Sequence, residues 1–262
     1  MHAPTPRAAP ANRIHHAVGV LAPLWTSWTL ETLRERGPLR APQLASATPW
    51  LNTATLHQVL LRMRTSDLLA KPERGCYAAS PLGQDTRPVR HTLASWHARH
   101  FEVGATAWRQ PDRVEDALTR LRGKGTLDVL TTLEENGPLR PGALREATGL
   151  ATGSFHYRTQ QLLDDGLVTR LGPDQRSAYT LTPAARGLAP VYAELHDFGR
   201  RTQANGAAGQ ANERSAVASR AHAARQHSPS AQRVTGLFSH PDQPPPRVPA
   251  YVTALSHPAR RR

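Results

Sequence analysis

The sequence predicts a mainly α-helical chain with small β-hairpin wings, organised as two tandem units followed by a basic tail. Three observations predict it. The first is a duplication: "GPLRAPQLASAT" at 37–48 returns as "GPLRPGALREAT" at 137–148, and sliding 26–48 onto 126–148 without a gap matches 12 of 23 positions. Compositional bias does not align that many residues in one register. The match continues after one extra residue in the first copy ("TPWLNT" against "TGLAT"), and "YAASPLGQDTRPV" (77–89) later shadows "YTLTPAARGLAPV" (179–191), so the repeat is about ninety residues long. The second is a change of apolar period inside each copy, from helical spacing to short alternation and back. The third is a shift at about 202 to small, polar, Arg-studded sequence.

These boundaries divide the chain into a flexible Pro- and Ala-rich N-terminus (1–12), a first unit (13–103), a linker (104–112), a second unit (113–201) and a tail (202–262). Elements are clearest in the second copy. Leu127, Leu130 and Leu133 recur at helical spacing, and the Gly-Pro of "ENGPLR" stops that helix. A short helix "PGALREAT" and a turn at Gly149 follow. In "ATGSFHYRTQQLLDDG" the inward stripe is Phe155, Thr159, Leu162 and Leu163, with Gly166 ending the run. "LVTRLG" and "SAYTLT" then alternate as strands around the polar turn "GPDQR", and "PAARGLAPVYAELHDFGR" resumes a helical period. Helix, helix, helix, β-hairpin, helix is the winged helix-turn-helix arrangement, so the expected fold is two tandem winged helix-turn-helix domains. In the first copy Asn52 is the expected N-cap of the third helix, and the Trp and Leu of "LWTSWTL" are expected in the core. Residues 200–262 hold ten arginines against two acids, Glu213 and Asp242. Their apolar content is too low to offset the entropy of ordering, so this tail is expected to be disordered.

A net charge of +13 and a pI near 11.2 call for an anionic partner. A nucleic-acid backbone is the commonest one, an anionic membrane surface the next. The single cysteine, Cys76, fits a reducing compartment. "AVGVLAPLW" (17–25) is too short and wrongly flanked for a secretory signal, and no stretch is long and apolar enough to span a bilayer. The expectation is a soluble cytoplasmic, nucleoid-associated chain without a membrane partner. Neither a P-loop, G-x-S-x-G, H-E-x-x-H nor a glycine-rich dinucleotide turn is found, so no enzyme, cofactor or small-molecule ligand is expected. Asp164 and Asp165 read as a solvated helix end. Among thirteen histidines, His97 and His100 share a helical face, but with no nearby Cys or carboxylate completing a ligand set no metal site is expected.

The second unit resembles HxlR-type winged helix-turn-helix regulators, relatives of the MarR-like group. The likeness runs through "VEDALTRLRGKGTLDVL", "GPLRPGALREATGL", "LLDDGLVTR" and "RSAYTLTPAARGLAPVYAELHDFG". The first unit resembles them more loosely and keeps the family's helix-one tryptophan as Trp25, where the second has Gly125. Both units lack the cysteine many such proteins carry near the start of the domain. The resemblance implies a homodimer on near-palindromic sites, with Arg176 at the usual wing-arginine position.

In such a motif the second helix of the pair enters the major groove. With Phe155, Thr159 and Leu162 inward, the opposite face offers Thr152, Gly153, His156, Tyr157 and Gln160. Gln and His read purine edges, while Tyr and Thr reach phosphates. The same positions in the first unit are Thr53, Ala54, His57, Gln58 and Leu61, and Leu61 is a poor groove residue. Wing arginines and lysines lie along phosphates or enter the minor groove; the candidates are Arg170 and Arg176, and Lys71 and Arg74. "GPLR" itself is expected to be structural. The expected function is a sequence-specific, double-stranded-DNA-binding transcriptional regulator, acting as a homodimer or as an internal pseudo-dimer. The alternatives are a protein-interaction adaptor built on winged helices, using "PPPRVP" to recruit a partner, and a replication or partition factor binding repeated DNA sites.

Overall fold

The computed structural model describes residues 8–71, 75–101 and 108–206, and these fall within one compact unit, Met1–Gln210. The first series of elements is α1 (Ala8–Leu21), α2 (Thr26–Arg36), β1 (Leu39–Arg40), α3 (Ala41–Ala47), α4 (Thr53–Thr65), β2 (Leu69–Ala70), β3 (Cys76–Ala79), α5 (Pro81–Gln84) and α6 (Arg87–Phe101). A second series follows in the same order, with an isolated bridge at Leu139 in place of β1: α7 (Gln110–Leu121), α8 (Thr126–Asn136), α9 (Pro141–Thr148), α10 (Thr152–Asp164), β4 (Val168–Arg170), β5 (Tyr179–Leu181), α11 (Pro183–Arg186) and α12 over 189–206. The architecture is mostly helical with small antiparallel sheets.

The duplicated letters mark positions the backbone constrains. Gly37 and Gly137 end α2 and α8 at φ 75° and 70°, where a side chain is disfavoured. The leucine of each "GPLR" then pairs with the hairpin: Leu39 opposes Tyr77 in β3, and Leu139 bridges Tyr179 in β5. Leu44 and Leu144 are fully buried, and Thr48 and Thr148 each donate a hydroxyl back to that leucine's carbonyl at 2.8 and 2.9 Å. Asn52 Oδ1 accepts from the Thr55 amide at 2.8 Å and caps α4 as expected. Below α4 the core is Leu56, Val59, Leu60 and Met63; below α10 it is Phe155, Thr159 and Leu162.

Helix bounds depart from expectation at three places. Helix α1 begins at Ala8, inside the segment expected to be loose, because Ala17, Val18 and Leu21 form a buried stripe. Helix α7 begins at Gln110, inside the expected linker, where Pro111 suits a first turn and the Asp112 carboxylate accepts from the Arg109 amide. Helix α12 runs to 206, past the expected tail boundary. The rest of the tail lies outside the described residues.

The flanking helices join the two repeats. Trp96 of α6 is buried and its Nε1 donates to the Ala184 carbonyl of α11 at 2.9 Å. His97, also buried, holds Asp116 of α7 at 2.9 Å, and Arg120 reaches the same carboxylate at 2.6 Å. Burial pushes Asp116 upward, but the hydrogen bonds from His97 and Arg120 outweigh it and hold the carboxyl below its ordinary value. Glu115 of α7 accepts from the Ser27 amide at the start of α2, although burial pushes its carboxyl up. On the other flank, α12 crosses α1 so closely that a Cβ on Gly199 would lie 2.3 Å from the Arg13 carbonyl oxygen.

Two core expectations are corrected: Leu24 is exposed, and Trp28 is not enclosed by the core. Trp25 packs against the core at a left-handed φ of 72°, the conformation Gly125 takes in the second copy. Trp28, on the next turn, is only partly buried and lines a surface cavity instead. Among the described residues no helix is long and apolar enough to cross a membrane, and no three His, Cys, Asp or Glu side chains cluster as a metal site.

Candidate nucleic-acid interface

Helices α4 and α10 are amphipathic in the same phase, and burial of one face fixes what the other presents. On α10, Thr152, Gly153, His156, Tyr157 and Gln160 are all exposed. On α4, Thr53, His57, Gln58 and Leu61 occupy the corresponding places and are exposed too. The two faces share threonine and histidine and differ at the next positions, Gln58 against Tyr157 and Leu61 against Gln160.

Several of these side chains are held in place. Arg145 of α9 donates to Thr152 Oγ1 at 2.9 Å, Gln161 donates to the Tyr157 hydroxyl at 2.8 Å, and Gln160 Nε2 donates to Asp164 Oδ1 at 2.9 Å. Arg158 donates to the Lys124 carbonyl at 2.9 Å, tying α10 to the loop before α8. Sequence reasoning did not single out Arg145 or Arg158. Both are cations beside the exposed face, and the signal for Arg145 was its place in the helix preceding α10.

The hairpins divide the wing residues. Arg176 lies exposed in the turn between β4 and β5. Arg170 is half-buried: its guanidinium stacks 5.4 Å from the Tyr179 ring and donates to that hydroxyl at 3.3 Å. It is therefore engaged across the hairpin instead of projecting from it. Lys71 is exposed, with its ammonium 5.0 Å from the Tyr77 ring. Arg74 lies outside the described residues.

Charge differs along the two helices. Helix α4 ends in Arg62 and Arg64, and from Leu39 to Thr65 the chain carries no carboxylate. Helix α10 ends in Asp164 and Asp165, and burial pushes the Asp165 carboxyl above the usual carboxylate range. Anionic ligands are favoured at the first turn of α10, where Arg145 stands, and at the N-terminal half of α4, which carries no carboxylate. No family model matches this chain, and no curated protein matches it.

Proposed function

We propose that the chain is a sequence-specific, double-stranded-DNA-binding transcriptional regulator of the winged helix-turn-helix kind, acting in the cytoplasm on chromosomal duplex. One observation carries the reading: α4 and α10, at equivalent places in two repeats, bury their apolar faces and expose Thr53 and His57, and Thr152 and His156, at matching positions. A threonine one turn before a histidine supplies a phosphate contact next to a base-edge contact on a helix sized for the major groove. Tyr157 and Gln160 extend the second face, and Arg176 and Lys71 offer phosphate contacts from the hairpins.

The joining of the repeats through α6 and α7 favours a single chain acting as an internal pseudo-dimer. Because Gln58 and Leu61 replace Tyr157 and Gln160, its two half-sites should differ. Selection of bound duplexes from a random library tests this. The bound pool should converge on one bipartite site with unlike halves; a pool that stays random, or no retardation of duplex at low salt, overturns the proposal.

A further inference from the structure

The first repeat builds a cavity on residues that the second does not share. Pro49 and Trp50 stand where the second copy has Gly149 alone, and Trp28 stands where it has Asp128. The two indoles meet edge to face, their ring centroids 5.0 Å apart at 68°. They form two walls of a cavity of about 340 Å³ whose rim carries Glu31, Glu35, Arg36 and Arg109. Trp50 is 47% exposed, with a large apolar face towards solvent.

The chain itself fills part of this site with a cation. The Arg109 guanidinium carbon lies 5.3 Å from the centroid of Trp28, in the range where a ring face attracts positive charge. Trp28 Nε1 donates to Asp112 Oδ1 at 3.1 Å, which makes the indole richer in electrons and its face a better cation acceptor. Arg109 is the N-cap residue of α7, and its backbone amide donates to the Asp112 carboxylate. Glu35 lies at the rim, its carboxylate 3.8 Å from Arg34, which is itself more tightly bound to Glu31.

We propose that this cavity binds a small organic cation, a quaternary ammonium or aryl-ammonium group, which replaces the Arg109 guanidinium on Trp28 and packs its apolar part against Trp50. This site is independent of the DNA-binding reading, and its test needs no DNA. The sign of one substitution separates it from its rivals: removing Arg109 removes a competitor, so a cation should bind more tightly, whereas an anion would lose its partner.

The experiment is a titration of the full chain with benzyltrimethylammonium, followed by the indole N–H signals in ¹H–¹⁵N spectra, with benzyl alcohol and phenylacetate as neutral and anionic controls. The Trp28 and Trp50 signals should shift saturably with the ammonium compound alone. W50L should weaken binding about tenfold or more, and R109A should strengthen it several-fold. The signals of Trp25, Trp96 and Trp108 report whether each variant remains folded. Equal response to benzyl alcohol, preference for phenylacetate, or weaker ammonium binding in folded R109A would each overturn the proposal.

Discussion

Replacing Glu31 should cost far more than replacing its partner, and importing the second repeat's residues should restore most of the loss. Arg90 donates to Glu31 Oε2 at 2.6 Å, and the two side chains are 5% and 11% exposed. Arg34, 53% exposed, holds the other carboxylate oxygen at 2.6 Å. At the equivalent places the second repeat has Thr131 and Tyr192, the latter with its hydroxyl oxygen buried, so the scaffold accommodates an uncharged pair here. E31A strands the Arg90 guanidinium in the interior, and loss of one partner of a buried pair costs about 3–5 kcal/mol. R90A leaves Glu31 paired with Arg34 and removes the charged hydrogen bond to it together with a long one to the Ser27 carbonyl, about 2 kcal/mol in all. The double variant E31T/R90Y removes both charges and should fall within about 1 kcal/mol of the parent. Urea unfolding of the full chain, followed by far-ultraviolet circular dichroism, measures all three. With a slope of about 3 kcal/mol per molar, E31A moves the midpoint down by about 1 M or more. If R90A costs more than E31A, or E31T/R90Y is as damaged as E31A, the reasoning is refuted.

Other outcomes follow from the same geometry. The Arg34 hydrogen bond, aided by Arg90 and opposed by burial, holds the Glu31 carboxyl below its ordinary value. Its contribution is therefore complete above the unfolded value of about 4.5 and disappears as pH falls through the lower folded value. The acid limb of the stability curve should flatten in E31Q, and an unchanged limb would count against this pairing. G199A replaces a helical glycine with a better helix former, which ordinarily adds about 1 kcal/mol. Here the new methyl meets the Arg13 carbonyl, so a loss of about 1–3 kcal/mol is expected in thermal unfolding, and a gain would mean that α1 and α12 do not cross so closely. Truncation after residue 206 removes most of the basic tail. It should lower the steepness of the salt dependence of DNA binding without changing the preferred sequence, and a changed preference would contradict a purely electrostatic tail.

Much of the fold was legible because the duplicated letters coincide with backbone requirements. Gly37 and Gly137 take positive φ, Leu44 and Leu144 fill the core, and Thr48 and Thr148 bond back one turn; each leaves a local mark that two copies make visible. The exposed faces of α4 and α10 were legible for a related reason: the inward stripe of Phe155, Thr159 and Leu162 fixes the opposite side of the helix. What escaped depends on partners distant in the chain. Glu115 meets the Ser27 amide, and Gly199 meets Arg13, through packing that no local pattern announces. Trp28 has the apolar character of a core residue, yet it borders a cavity because its neighbours there are Trp50, Arg109 and Asp112. Arg170 reads as a free wing cation until Tyr179 is placed across the hairpin from it.

The most direct measurement makes the two exposed faces alike. In Q58Y/L61Q, α4 presents the same His, Tyr and Gln as His156, Tyr157 and Gln160 on α10. Duplexes selected from a random library by the parent chain should carry unlike half-sites, and those selected by the double variant should become nearly palindromic, with the half assigned to α10 unchanged. A variant that is folded but selects the parent's sequence in both halves would contradict the claim that these faces read DNA.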